Sequence, residues 1–222
     1  MRELFFFDCD GVLVDSEVLS AATTSEILAE HGIALSVQDA IRIFTGKTIG
    51  DAARLVAERY DVTLPEDYAA RHEAALMRRF TEELREIAGI RQVLETCSAP
   101  VCVTSNSTHS RLALTLKTTD LLRYFGRNVF SAEDVAAPKP APDLFRHAAA
   151  AFGVDPSRCI TIDDSVSGIA GARAAGARAI GFCGGSHITD GTPAQLLAAG
   201  AEICLHSMAE LQDYLHSSAP NR

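Results

Sequence analysis

The chain has 222 residues, of which 47% are hydrophobic and 22% are charged, as is normal for a water-soluble globular protein. Its formal net charge of −9 argues against nucleic acid or an anionic membrane as a partner. Glu3 and Asp8 come too early for a signal peptide, no apolar stretch is long enough to span a bilayer, and the six cysteines show no metal-ligand spacing. We therefore expect a cytoplasmic protein with reduced thiols.

The first predicted element is a buried strand at Leu4–Phe7, which runs directly into two acids and a glycine, Asp8, Asp10 and Gly11. Alternate side chains of a strand share a face, so this spacing predicts that the two carboxylates point the same way. Paired acids at the end of a buried strand are costly unless they bind a cation or share a proton. The pattern predicts a nucleophile or metal ligand at Asp8 and a proton donor at Asp10, with an ordinary polar turn as the alternative.

A block of helices follows, with no convincing strand between residues 16 and 86. Apolar periodicity predicts four helices, at Glu17–His31, Ser36–Phe44, Asp51–Tyr60 and Glu66–Leu84. The loop after the second of these helices carries Lys47 between Gly46 and Gly50. A cation in such a loop is suited to contact a carboxylate or second polar group of a substrate, whereas the other cationic residues of the block read as surface charge.

A second polar cluster follows the predicted strand Val101–Thr104, where Ser105, Asn106 and Ser107 come in a row. Either Ser107 or Asn106 is predicted to be the N-cap of a helix that continues through Leu116. The free N–H groups of such a helix start, together with these side chains, would form an anion site. Simple helix capping is the alternative.

Two further segments carry the same kind of signal. Lys139 lies in a proline-rich stretch that fixes the backbone and holds one ammonium where it can meet a phosphate. An exposed lysine in a rigid loop is the alternative there. The predicted strand Cys159–Ile162 ends at Asp163 and Asp164, and Gly168 lies in the small-residue helix that follows. Paired acids of this kind either cap a helix or hold Mg²⁺, a hard cation that prefers oxygen ligands.

Strands and helices alternate through the rest of the chain, which predicts an α/β fold with a Rossmann-like, doubly wound and mainly parallel sheet. We expect residues 1–15 and 87–222 to form the core domain, and residues 16–86 to be a helical insertion after the first strand. The tail from Ser217 is expected to be frayed. The remaining predicted helices lie near Gly89–Thr96, Ser107–Leu116 and Asp143–Phe152, and the remaining strands near Asn128–Phe130, Arg178–Phe182 and Glu202–Leu205.

Taken in order, the four polar segments resemble the signatures of the haloacid dehalogenase-like superfamily of phosphotransferases. The matching residues are Asp8-Cys9-Asp10-Gly11-Val12, Thr104-Ser105-Asn106, Lys139, and Asp163-Asp164-Ser165 with Gly168. The resemblance covers nearly the whole chain, and it implies that the helical block is the inserted cap domain of the commonest subclass of this superfamily.

The resemblance also implies a mechanism. Mg²⁺ is the implied cofactor, shared between Asp8, the backbone carbonyl of Asp10 and Asp164. Asp8 is implied to attack phosphorus and form an aspartyl-phosphate, and Asp10 to give a proton to the leaving oxygen and then take one from water.

Other residues of the four segments are implied to bind rather than to react. Ser105 and Lys139 would hold the phosphoryl oxygens, where charge lies in the transition state. Gly11 and Asn106 would contact the substrate or orient the loop. Asp163 would hold Lys139 or a metal-bound water rather than the metal itself.

The second acid separates the reaction types of the superfamily, because dehalogenases and phosphonate hydrolases lack an equivalent of Asp10. Mutases that resemble this chain carry a histidine where it has Ser20 and an arginine where it has Ile49. We therefore predict a phosphatase, with a β-phosphoglucomutase-type mutase as the alternative and a non-catalytic sugar-phosphate-binding protein as the remote one. Residues 98–106 and 162–168 resemble bacterial 6-phosphogluconate phosphatases, so a sugar phosphate such as 6-phosphogluconate is the predicted partner of a monomer or weak homodimer.

Overall fold

The structure is a computed structural model that describes residues 3–47 and 49–218. Within these residues the strands form one six-stranded sheet of order β3-β2-β1-β4-β5-β6, and every neighbouring pair is parallel. Helices flank this sheet, so the predicted fold class is confirmed. The strands are β1 (Leu4–Phe7), β2 (Val101–Ser105), β3 (Val129–Ser131), β4 (Cys159–Asp163), β5 (Arg178–Phe182) and β6 (Cys204–Leu205).

Strand β1 lies in the centre of the sheet and is fully apolar because both of its faces are covered. Phe5 and Phe7 belong to the apolar cluster on one face, and Leu4 and Phe6 to the cluster on the other. Its neighbours on either side are β2 and β4. The carboxyl ends of these three strands therefore meet at one edge of the sheet, which is where open α/β sheets place their ligands.

The predicted helical block folds into four helices between β1 and β2. They are α1 (Glu17–Glu30), α2 (Val37–Phe44), α3 (Ile49–Tyr60) and α4 (Tyr68–Glu83). A separate apolar cluster joins the first three, with Leu28, Phe44 and Val56 among its members. Leu76 and Phe80 of α4 pack instead into the apolar cluster on one face of the sheet. The division into a core domain and a cap domain stays a prediction.

Seven more α-helices follow α4 in the described part of the chain, and three of them were not predicted. They are α5 (Ile90–Thr96), α6 (His109–Thr118), α7 (Leu122–Phe125), α8 (Asp143–Ala151), α9 (Val166–Ala175), α10 (Thr192–Ala198) and α11 (Met208–Ser218). The unpredicted helices are α7, which has only four residues, α10, of which only Leu196 is buried among described side chains, and α11, which continues past the point where fraying was expected. Residues 219–222, the rest of that predicted tail, lie outside the described residues.

All six cysteines are free, as the sequence indicated. Among the described residues, no helix is both long enough and apolar enough to cross a bilayer.

Candidate active site

Three carboxylates meet at the carboxyl ends of β1 and β4. One oxygen each of Asp8, Asp163 and Asp164 lies within 4.8 Å of the others, and all three side chains are largely or wholly buried. Burial raises the pKa of Asp8 well above its ordinary value and the neighbouring carboxylates add to this, although Lys139 opposes it. Burial also raises the pKa of Asp164. Three carboxylates this close together and this deeply buried remain ionised only if positive charge lies beside them.

Lys139 supplies one positive charge to this acidic cluster. Its Nζ lies 2.8 Å from Oδ2 of Asp163 and 3.1 Å from Oδ1 of Asp8, and the side chain is 2% exposed. Burial alone would lower the pKa of Lys139, but the carboxylates of Asp163 and Asp8 outweigh it and raise the pKa. The exposed-lysine alternative is therefore wrong, because this ammonium is buried and paired with Asp8 and Asp163.

Asp163 is occupied on both of its oxygens. Oδ2 accepts the Lys139 ammonium, while Oδ1 accepts hydrogen bonds from the backbone N–H of Ser165 at 2.9 Å and from its hydroxyl at 2.7 Å. With no exposed surface and both oxygens engaged, Asp163 is placed to anchor Lys139. Its role behind the reacting groups stays a prediction.

The segment after β2 is tied to the lysine loop. Asn106 Nδ2 donates to the carbonyl of Lys139 at 3.1 Å, and the N–H of Lys139 donates to Asn106 Oδ1 at 2.9 Å. Of the two roles open for Asn106, these bonds favour orienting the loop over contacting the substrate. Ser105 is buried beside it, and its hydroxyl oxygen accepts the N–H of Ser107 at 3.1 Å.

The predicted capping residue of helix α6 is wrong. Thr108 is the N-cap, and its hydroxyl accepts the N–H of Arg111 at 3.3 Å. Ser107 does not cap the helix because its hydroxyl donates to Asp10 Oδ2 at 2.6 Å. The N–H of His109 is taken by Glu133 at 2.6 Å, so this helix start is already bound by an acid of the protein itself.

Asp10 does not join Asp8 in the cluster. Strand β1 ends at Phe7, so the strand alternation that predicted a shared face does not extend to these residues. The carboxylate of Asp10 instead accepts hydrogen bonds from the hydroxyls of Ser16 and Ser107, both at 2.6 Å. Burial by itself would raise the pKa of Asp10, but Arg111 and the two hydroxyls hold it below the ordinary value.

Two glycines let the backbone approach these carboxylates. Gly11 has a φ of +79°, and a Cβ built on it would lie 1.8 Å from Oδ2 of Asp164. A Cβ on Gly168, in helix α9, would lie 1.9 Å from Oδ2 of Asp163. Any other residue would displace the acid beside it, so both glycines are requirements of the site.

Three charged residues near the site were not singled out from the sequence. His187, in the loop after β5, donates through Nε2 to Asp164 Oδ2 at 2.8 Å, and Asp164 raises its pKa although burial opposes this. Half-buried Glu17 has a pKa raised to about 7 by burial and by the carboxylates of Asp10 and Asp164. Arg111 contacts Asp10. Of these three residues, only His187 could have been found from the sequence, because it lies in the loop after the predicted strand Arg178–Phe182.

Lys47 lies in the exposed turn after α2, and the adjoining residue 48 lies outside the described residues. Within the described part of the chain, no hydrogen bond or ion pair joins its side chain to the acidic cluster. Its contact with a substrate stays a prediction.

The carboxylates of this site fit Mg²⁺, the metal that the resemblance implies. The oxygens gathered within 4.8 Å are all carboxylate oxygens, which are the ligands that Mg²⁺ prefers in proteins. The three carboxylates face one ammonium, that of Lys139, and one imidazole, that of His187, so a divalent cation would add positive charge to a cluster dominated by acids. Asp8 and Asp164 would hold it, because Lys139 and Ser165 already engage both oxygens of Asp163.

Comparison with known proteins decides the family. Residues 5–182 match the family described as haloacid dehalogenase-like hydrolase. The chain belongs to this family. It is therefore a hydrolase, and both the predicted resemblance and the prediction of an enzyme are confirmed. The match covers every polar strand end described above, from Asp8 to Asp164.

Several known proteins are similar to this one over most of its chain. It is 35% identical to the 6-phosphogluconate phosphatase of Escherichia coli over 186 residues, which are 83% of this chain and 84% of the relative. A conserved haloacid dehalogenase-like protein of unknown function from Agrobacterium tumefaciens is 38% identical, with a TM-score of 0.92 over 99% of this chain and 100% of that one. A haloacid dehalogenase family hydrolase from Deinococcus radiodurans, solved with bound phosphate and sodium, is 32% identical, with a TM-score of 0.84 over 97% and 96%.

Proposed function

We propose that this protein is a Mg²⁺-dependent phosphatase that hydrolyses a small sugar phosphate through an aspartyl-phosphate intermediate. The observation that carries the proposal is the contact of the Lys139 ammonium with Asp8, a buried carboxylate gathered with Asp163 and Asp164. A buried nucleophile beside a fixed cation is what attack on a phosphate dianion requires. The phosphatase name of the Escherichia coli relative and the phosphate bound in the Deinococcus radiodurans hydrolase support it.

Asp8 is the proposed nucleophile. One of its oxygens, Oδ1, is engaged by Lys139 and by the N–H of Cys9 at 2.8 Å, which fixes the carboxylate for attack on phosphorus. Lys139 remains in place because Asp163 anchors it, and it would stabilise negative charge on the phosphoryl oxygens. Buried Ser105 would add a hydroxyl to the same group. Bound Mg²⁺ would neutralise charge on the phosphate.

Asp10 is the proposed proton-transfer residue. It lies two residues after the nucleophile and is held by the hydroxyls of Ser16 and Ser107. In the first step it would give a proton to the leaving oxygen of the sugar, and in the second it would take a proton from the water that attacks the aspartyl-phosphate. This assignment explains why its carboxylate is separate from the acidic cluster, since it acts on the leaving group rather than on the phosphoryl oxygens.

The proposed substrate rests on the Escherichia coli relative, which is named a 6-phosphogluconate phosphatase. An identity of 35% over most of both chains makes 6-phosphogluconate the first compound to assay, within a broader class of sugar monophosphates. A small phosphorylated metabolite is the coarser proposal, and it does not depend on that choice. A cytoplasmic location and a monomeric or weakly dimeric state also stay predictions.

The test is a panel of sugar monophosphates, including 6-phosphogluconate and β-glucose 1-phosphate, assayed for free phosphate with Mg²⁺ and with EDTA. We expect stoichiometric phosphate release that needs Mg²⁺, and no stimulation by a sugar bisphosphate. Ca²⁺ should inhibit because its larger and looser coordination spoils in-line geometry. Conversion of β-glucose 1-phosphate to the 6-phosphate without phosphate release would identify a mutase. Binding without any turnover would identify a sugar-phosphate-binding protein.

A further inference from the structure

The carboxylate of Asp10 is held from three separate parts of the chain. Ser16, at the start of α1, donates to Oδ1, and Ser107, in the loop after β2, donates to Oδ2. The third donor is Arg111 in the first turn of α6, whose terminal nitrogen lies 3.3 Å from Oδ1. The two hydroxyls are neutral donors, so the guanidinium, with its planar fork, is the one charged donor of this set.

Arg111 is itself held in an unusual setting for a cation. Its guanidinium carbon lies 5.1 Å from the centroid of the Phe80 ring, and Phe80 is fully buried on helix α4. The side chain of Arg111 is 18% exposed, and its Nε is buried with no hydrogen-bond partner among the described residues. A buried nitrogen without a partner is costly, so the position of this side chain is maintained by its other contacts.

Those other contacts are electrostatic and aromatic. Burial alone would lower the pKa of Arg111, but the carboxylates of Asp10, Glu17 and Glu73 raise it. The aromatic face of Phe80 attracts the same cation and restricts the plane of the guanidinium. One side chain therefore joins the acid after β1 to a helix of the predicted cap segment, residues 16–86.

We propose that Arg111 is a positioning residue that fixes the orientation of the Asp10 carboxylate for proton transfer to the leaving oxygen, and that Phe80 in turn fixes Arg111. The inference rests on the proposed function, because it assumes that Asp10 transfers the proton. A displaced general acid loses rate steeply, since an error of about 1 Å in placement costs on the order of a hundredfold.

The test uses leaving groups that differ in their need for a proton. A sugar alkoxide requires protonation as it departs, whereas p-nitrophenolate departs without it. We expect Arg111→Met to lower kcat/KM for a sugar phosphate by about tenfold to a hundredfold, within the range of a weakened general acid. For p-nitrophenyl phosphate kcat/KM should change by less than about twofold, since phosphoryl transfer to Asp8 is intact. Equal losses on both substrates, or no loss on the sugar phosphate, would overturn the proposal.

Graded and control variants separate positioning from general damage. Arg111→Lys keeps the charge without the planar fork and should retain more sugar phosphate activity than Arg111→Met. Phe80→Leu keeps an apolar side chain but removes the ring, and it should show the same selective loss in a milder form. Arg123→Met removes an exposed arginine of α7 and should leave both rates unchanged.

Two further measurements distinguish this proposal from the proposed function. Asp10→Asn should show the selective loss on the sugar phosphate in full, and if it does not, the proton-transfer role of Asp10 fails. If Asp10→Asn shows that loss and Arg111→Met does not, only the positioning role fails. A crystal structure of Arg111→Met decides the matter even for an inactive enzyme. The carboxylate of Asp10 should then turn or adopt several orientations, and an unchanged single orientation would overturn the proposal.

Discussion

The ammonium of Lys139 lies 2.8 Å from Oδ2 of Asp163, a carboxylate with no exposed surface. Because Asp163 is also bonded to Ser165 at the start of α9, the cation is fastened to β4 and its helix rather than to its own loop alone. The cation that faces Asp8 is therefore fixed by the strand next to the nucleophile. Both the stability of the fold and the catalytic rate should therefore depend on the contact between Lys139 and Asp163.

Removing the ammonium should destabilise the fold. Lys139→Met leaves the buried carboxylates of Asp8 and Asp163 without their cation, so we expect the free energy of unfolding to fall by about 3 kcal/mol in EDTA at neutral pH. Denaturant unfolding measures this. Lys117→Met, which removes an exposed lysine of α6, is the matched control and should change stability by less than about 0.5 kcal/mol. Equal stability of both variants would show that Lys139 is not needed to balance the acids.

A methyl group at Gly168 should also disrupt the anchor. Alanine normally stabilises a helix relative to glycine, but here its Cβ would lie 1.9 Å from the Asp163 carboxylate. We expect Gly168→Ala to lower the free energy of unfolding by about 3 kcal/mol, as overpacking does in a dense site. In Gly191→Ala the nearest atom to the new Cβ would be 3.9 Å away, so this control should be close to neutral. A stabilised Gly168→Ala variant would contradict the described packing.

His72 should make stability depend on pH. Burial, with a contribution from Arg111, lowers the pKa of this histidine of α4 to about 4, from about 6.5 in an unfolded chain. Between these values the unfolded chain binds the proton and the folded one does not, so stability falls as the pH falls from 6.5 to 4.

A variant of His72 tests the direction of this pH dependence. Over that pH window the loss of stability should be smaller by about 2 to 3 kcal/mol in His72→Gln than in the wild type. Exposed His206→Gln is the control and should follow the wild-type curve. Parallel curves for His72→Gln and the wild type would mean that this imidazole does not resist protonation in the folded state.

A Lys47 variant tests whether the exposed turn after α2 contacts the substrate. Lys47→Ala should raise KM for an acidic sugar phosphate by roughly tenfold, or about 1.4 kcal/mol, and leave p-nitrophenyl phosphate little affected. The reason is that only the sugar acid offers a second anion to this cation. Lys117→Ala serves as the control. An equal effect of Lys47→Ala on both substrates would show that Lys47 does not contact the sugar.

Much of the fold and of the acidic cluster could be predicted from the sequence, because both depend on strand ends. Apolar runs that stop at acids located Asp8, Asp163 and Asp164, and parallel strands bring such ends to one edge. The separation of Asp10 could not be predicted, since it follows from hydroxyl partners that lie six residues and 97 residues away along the chain.

The remaining misses have different origins. Arg111 has no local signal, because its role comes from packing between α6 and α4, which are distant in sequence. Helix α11 carried a readable pattern in its buried Met208, Leu211 and Leu215, whereas α10 buries only Leu196 among its described residues and gives little periodicity. Local patterns thus predict elements, and long-range contacts decide which polar side chains meet.

The central claim is that the phosphoryl group passes through Asp8, and mass spectrometry of acid-quenched enzyme tests it most directly. Enzyme quenched during turnover of a sugar phosphate with Mg²⁺ should carry a phosphoryl group on the peptide that contains Asp8, labile to hydroxylamine as an acyl phosphate is. Asp8→Asn should carry none and should release phosphate only at the background rate, while keeping the wild-type fold. Phosphate release by the wild-type enzyme with no phosphoryl group on this peptide, or with one on another residue, would contradict the account.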